Sequence, residues 1–225
     1  MPGKLIVLEG IDGSGKSTQY ALLCKRLESE GLSFQKLVFP RYENDSSALI
    51  RMYLNGEFGS NPNDVNAFAA SAFYAADRYA SYQTDWGEWY RNGGLVLCDR
   101  YTTSNACHQG SKLAPGALDD YFAWLEDFEY RRMELPRPHL VIYLNTELEV
   151  SLAQLQHRQQ GTQTQGDIHE KDVDYMRRTL LTGRKAAAYY GWTRIDSVQN
   201  GSLRSVEAIH EDIYAAVKGR LNEDG

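Results

Sequence analysis

Eight residues near the amino end, Gly10-Ile11-Asp12-Gly13-Ser14-Gly15-Lys16-Ser17, fit the spacing G-x-x-x-x-G-K-[ST], and Thr18 follows them. The chemistry asks for each type. Glycines let the backbone turn so that successive N–H groups point inward at phosphate oxygens. A helix starting near Lys16 adds its positive end. The Lys16 ammonium reaches β- and γ-phosphates, and the Ser17 hydroxyl suits Mg²⁺. With average residue usage, chance gives such a match on the order of 0.01 times in a chain this long. It also follows an apolar run and opens a helical one, the context such a loop needs. The dinucleotide pattern G-x-G-x-x-G with a later acid is not met. A nucleoside triphosphate is therefore the expected ligand. No guanine-reading N-K-x-D occurs, so a small kinase is the simplest reading.

Other groups could serve a second substrate. Arg41 follows Phe39-Pro40 at the end of an apolar run and precedes Tyr42. A guanidinium there can clamp phosphate with paired donors; an isolated Arg is otherwise a solvated charge. Tyr74, Asp77 and Arg78 stand at i, i+3 and i+4, on one helix face. Aromatics at this spacing also build cores, and Phe73 reads as core. Asp99 ends another apolar run and Arg100 follows it. An Asp in that place commonly reaches Mg²⁺ or its waters; the plainer alternative is a surface ion pair. Asp167-Ile168-His169-Glu170 has the spacing of a capping box, with Asp167 as the cap. Asp12 has a turn reading as well.

These groups need elements to position them. Four short apolar runs read as buried strands: Lys4–Glu9, Gln35–Phe39, Gly94–Cys98 and His139–Leu144, with a weaker fifth at Trp192–Ile195. They are continuous rather than alternating, which suits a parallel sheet covered on both faces. Helical spacing is expected over Ser17–Glu30, from an Asn63 cap to about Arg91, and over Ala117–Arg132, Glu147–Arg158, His169–Tyr190 and Leu203–Leu221. Alternation of the two predicts an α/β fold with right-handed crossovers. The Gln-rich stretch Gln154–Gly166 reads as a mobile polar segment between helices. Apolar residues at 42% and charged residues at 24% belong to a globular chain. A net charge of −6 argues against a general nucleic-acid binder, which needs a basic face. No apolar run reaches the roughly 18 residues of a membrane span, and the four apolar residues after Lys4 are too few for a signal peptide. Three cysteines without C-x-x-C spacing suggest buried thiols in a reducing, cytoplasmic compartment.

Taken in order, the phosphate loop, Phe39-Pro40-Arg41-Tyr42, Phe73-Tyr74-Ala75-Ala76-Asp77-Arg78, Asp99-Arg100-Tyr101 and Asp167–Glu170 resemble the thymidylate kinases, a group of P-loop nucleoside-monophosphate kinases. The likeness runs from about Lys4 to Ile213 and is weakest between Gln109 and Leu135 and in the Gln-rich stretch. It implies one P-loop kinase domain over residues 1–225, with a five-stranded parallel sheet flanked by helices and a mobile lid at about 154–168. It implies transfer of the γ-phosphoryl group of ATP to dTMP, with Mg²⁺, on the route to dTTP. It also implies a homodimer built on helices that include the long one. By the same resemblance, Gly10, Asp12, Gly13, Ser14, Gly15, Lys16, Ser17 and Thr18 hold ATP, and Ser17 and Asp99 serve the metal. Arg41 binds the acceptor phosphate and Tyr42 lies near the deoxyribose. Tyr74 stacks on thymine, Arg78 bonds its O4, and Asn105 contacts the base. Arg100 sits between the two substrates, and Asp12 helps hold the reacting groups. His169 and Glu170 border the nucleotide. The loop itself lacks an Arg, so Arg158 is the candidate for a lid arginine. His108 stands where some relatives have Tyr, and no chemistry is assigned to it.

Overall fold

The computed structural model describes residues 2–162, 169, 172–199 and 202–222, the side chains of 161 and 162 excepted. Five parallel strands form the sheet: β1 (Lys4–Glu9), β2 (Phe34–Val38), β3 (Leu95–Asp99), β4 (Leu140–Asn145) and β5 (Thr193–Asp196), in the order β2-β3-β1-β4-β5. Each expected strand is present, with bounds within a residue or so of the expectation. The side-chain period of two sends Ile6 and Leu8 of β1 to one face and Leu5 and Val7 to the other. The first face packs on α1 (Lys16–Ser29) and α9 (Val206–Asn222) through Leu23, Leu27, Ile213 and Val217. The second packs on Trp86, Tyr90 and Tyr101. Both faces are covered, which is why the strands read as unbroken apolar runs. Cys24, Cys98 and Cys107 are free and buried, the first two in these layers and Cys107 against Tyr143 and Ala187.

Several helical expectations are corrected. Asn63 does not cap the long helix. Pro62–Asp64 forms a separate turn closed by Asn61, and Asn66 caps α3 (Ala67–Ser81) through the Ala69 N–H at 2.9 Å. The expected helix then widens over Tyr82–Trp86 before α4 (Gly87–Arg91). A Cβ at Gly87 would lie 2.1 Å from the Tyr82 carbonyl oxygen, so glycine is what admits this wide turn. Likewise α6 (Leu118–Glu126) ends in a wide turn over Asp127–Arg132. Helix α7 (Leu148–Thr162) runs into the Gln-rich stretch, so the part of it up to residue 162 is helical; Gln, Leu and Arg are adequate helix formers. Helix α8 (Val173–Tyr190) starts later than expected. Its cap is Asp172, whose carboxylate accepts the Tyr175 N–H at 2.8 Å. Asp167 and Glu170 lie outside the described residues. Short helices α2 (Ala48–Leu54) and α5 (Thr102–Ser104) and a small hairpin, β6 (Val198–Gln199) with β7 (Ser202–Leu203), complete the set.

Candidate active site

The site is built at the carboxyl ends of β1, β3 and β2. After β1 the chain turns through the phosphate loop into α1. Gly15 caps this helix at φ 83° with no side-chain cap. The first-turn N–H groups are thereby left for an anion. A Cβ at Gly13, φ 75°, would lie 2.3 Å from the Ser151 carbonyl oxygen, so only glycine lets the loop approach α7 this closely. Lys16 is buried and pairs with Asp99 at 3.0 Å. Ser17 Oγ donates to the other Asp99 oxygen at 3.3 Å. Two hard oxygens thus sit side by side at the loop. Mg²⁺ characteristically takes few protein ligands and completes its shell with phosphate and water oxygens, so this pair fits it. Among the described residues no cluster of three acidic, His or Cys side chains offers a protein-only cage.

Arg100 stands at φ 67°, a left-handed conformation uncommon for a side chain of its size. Its N–H donates to the Leu8 carbonyl at 3.1 Å, carrying on the β1–β3 ladder. The guanidinium pairs with Asp12 and, at 3.4 Å, with Glu9, and it donates to His108 Nε2 at 3.0 Å. Burial works to raise the Asp12 carboxyl, yet the charges of Arg100 and Lys16 outweigh it and hold Asp12 well below the usual carboxylate range. Burial and then Arg100 press His108 well down, so the ring is neutral and Nε2 is the acceptor. Glu9 is wholly buried. It accepts from the Gly10 N–H at 2.9 Å and from the Thr103 and Ser104 hydroxyls at 2.7 Å each.

Two cavities open on this centre. One, about 1050 Å³ and open to solvent, is lined by the loop from Ile11 to Thr18, by Asp99 and by Arg158 of α7. The other, about 510 Å³, is walled by Tyr42, Tyr74, Arg78, Asn105, His108 and His169 among others. Asp12, Arg100, Tyr42 and Phe39-Pro40 line both. The cavities therefore meet at an Asp–Arg pair.

Most sequence-identified residues are brought together here. Arg41 is not. It lies outside the lining of either cavity, with its guanidinium turned to Asp77 at 3.2 Å, to Asp85 and to Ser46 at 3.0 Å. Glu170 lies outside the described residues. His169 is buried, stacks on Tyr175 with centroids 4.6 Å apart, and bonds the Tyr53 hydroxyl at 2.9 Å. Burial takes its pKa down to about 3. Lys112 Nζ donates to that same Tyr53 hydroxyl at 2.8 Å. Glu9, Tyr53, Lys112, Glu129 and Tyr175 were not singled out from sequence. Only Glu9 carried a signal: like Asp99, it is an acid that ends an apolar strand.

The family described as thymidylate kinase matches residues 8–213 of the chain. The chain belongs to the thymidylate kinase family. The thymidylate kinase of Mycobacterium tuberculosis is 32% identical over 190 residues, covering 84% of this chain and 87% of that protein. That of Halothermothrix orenii is 30% identical over 224 residues, covering 98% and 99%. Among solved structures, a thymidylate kinase from Candida albicans superposes with a TM-score of 0.70 over 98% of this chain and 93% of that one, at 20% identity. The last likeness speaks for the fold. Thymidylate kinases are enzymes, and the P-loop fold, the kinase chemistry and the thymidylate acceptor stand on the family match. No helix among the described residues is long and apolar enough to cross a membrane.

Proposed function

We infer that the protein is a dTMP kinase, transferring the γ-phosphoryl group of ATP to the 5′-phosphate of dTMP and giving dTDP and ADP. The observation that carries this is the meeting of a phosphate-loop cavity and an aromatic-walled cavity at Asp12 and Arg100. Phosphoryl transfer needs donor and acceptor in line, with neutralised charge between them. The acceptor phosphate is already an anion at neutral pH, so the reaction asks for positioning more than for a strong base.

In this reading the backbone of Gly10, Gly13, Ser14 and Gly15, with Lys16 and Thr18, cradles the ATP phosphates. Ser17 and Asp99 hold Mg²⁺, which when bound draws negative charge from the phosphate oxygens. Arg100 is the bridging cation and Asp12 keeps it aimed. Arg158, lining the loop cavity from α7, supports the lid role given to it. In the acceptor cavity Tyr74 stacks on the base, Arg78 and Asn105 bond its edge, and Tyr42 and His169 flank the sugar and phosphate. Glu170 joins them at the nucleotide. Arg41 clamps the acceptor phosphate only after leaving Asp85, so its part is in the closed, loaded enzyme. One domain carries both cavities, and two copies associate through α3, where Phe68 and Tyr79 are exposed.

Lys16→Ala and Arg100→Ala test the assignment. Each should lower turnover by at least about 100-fold, with the circular dichroism of a folded chain retained. Near-normal turnover in a folded variant removes that residue from the chemistry.

A further inference from the structure

Glu129 sits in the wide turn after α6, within the stretch of weakest family resemblance. Its side chain is wholly buried and it lines neither cavity at the active site. One carboxylate oxygen accepts from Arg78 Nε at 2.7 Å. The other accepts from Arg78 Nη2 at 2.6 Å and from Asn105 Nδ2 at 2.8 Å. Arg78 comes from α3 and Asn105 from the turn after α5, and both line the acceptor cavity. A single carboxylate therefore ties together two cavity-lining side chains from separate elements. Burial alone works against the Arg78 charge, and the paired Glu129 more than restores it.

These bonds decide which atoms the cavity meets. The Asn105 amide nitrogen has two hydrogens. Glu129 takes one, and the Ser71 carbonyl takes the other at 3.1 Å. The amide is thus fixed with Oδ1, an acceptor, as its remaining polar atom. Arg78 commits Nε and one Nη2 hydrogen to Glu129 and one Nη1 hydrogen to the Tyr101 carbonyl at 3.3 Å. Its other donors stay on the η nitrogens. The wall thus offers a donor from Arg78 and an acceptor from Asn105. A keto pyrimidine matches this pair, since O4 accepts and the neighbouring N3–H donates. Cytosine reverses both, because N4 donates and N3 accepts.

We propose that Glu129 is a positioning residue for base selection: by holding Arg78 and Asn105 on one carboxylate, it fixes their atoms for a keto pyrimidine and against an amino one. This rests on the reading that the cavity takes the acceptor base. It predicts that dTMP and dUMP are affected alike, because both carry O4 and N3–H.

The test compares kcat/KM for dTMP and dCMP in Glu129→Gln and Glu129→Asp. The first removes the charge. The second keeps it but withdraws the carboxylate by one methylene. The expected result in each is a fall in the dTMP-to-dCMP ratio of at least about tenfold. It should come mostly through KM for dTMP, with KM for ATP and saturated turnover little changed. An unchanged ratio in a folded variant overturns the proposal. A merely structural role would lower the melting temperature and active fraction without moving that ratio. Arg78→Gln separates the two layers of inference. If it loses selectivity while the Glu129 variants keep it, Glu129 alone is wrongly assigned. If it too keeps selectivity, the base-cavity reading fails first. Should neither Glu129 variant fold, hydrogen exchange on the wild-type enzyme decides. The Asn105 side-chain amide protons should be protected with and without dTMP, and exchange at the solvent rate contradicts the fixed orientation.

Discussion

Arg100 has its guanidinium held by Asp12, Glu9 and His108. A backbone at φ 67° costs a side chain like this about 1 kcal/mol or more. The carboxylates on either side supply the hydrogen bonds that keep it there. The same economy of buried charge governs Lys112. Burial lowers its pKa to about 7, while its hydrogen bonds go to the Tyr53 hydroxyl and the Val65 carbonyl. The sign of the resulting pH dependence is fixed. Between about pH 7 and the ordinary lysine range near 10.5, the unfolded chain holds this proton more firmly than the folded one. Stability from this group therefore rises as pH rises through that window, by at most about 1.4 kcal/mol per pH unit. Lys112→Met should flatten that rise in a denaturation series from pH 7 to 10. An equally steep rise in the variant contradicts the assignment. Residues of this kind were not legible in the sequence. Lys112 and Tyr53 lie far apart in the chain and give no local pattern, and they meet only when α2 and the turn that ends at Lys112 converge.

Helices and loops carried more of their own instructions. The phosphate loop was readable whole, because each glycine answers a local backbone demand. Strands were readable because burial on both faces leaves an unbroken apolar run. Helix starts were less so. Asn61, Asn63 and Asn66 can each cap, and Pro62 together with the packing of Ala67 and Ala70 settles the choice on Asn66. Asp167 and Asp172 competed in the same way, and α8 takes Asp172. On α3, Ala67 and Ala70 are packed inside, but Phe68, Ala76 and Tyr79 lie on an exposed flank. Their spacing is that of one helix face. The proposed homodimer should bury this flank. Ala76→Glu should then shift the sedimenting species from twice the chain mass to one chain mass. A wild-type protein that sediments as a single chain contradicts the dimer.

Across the whole molecule, the strand order β2-β3-β1-β4-β5 puts the phosphate loop, Asp99-Arg100 and Phe39-Pro40 at neighbouring strand ends. Hydrogen bonds from the Arg100 N–H to Leu8 and from the Phe39 N–H to Asp99 extend the ladder into the site. Ligand sites in open α/β sheets lie at such carboxyl ends. The sheet thus sets the distance between the loop cavity and the acceptor cavity, and Asp12 and Arg100 stand where they join. Sequence alone named most of the lining, since it lies in short motifs next to strand ends. It could not show that Arg41 faces Asp77 and Asp85 in this structure, because that depends on how α3 and the turn after it pack. The most direct test of the central claim is product analysis after incubating the purified protein with ATP, Mg²⁺ and one acceptor at a time. dTDP and ADP should form in equal amounts with dTMP, and little product should form with dCMP or with thymidine, which lacks the phosphate. ADP without dTDP, or phosphorylation of thymidine in preference to dTMP, contradicts the account.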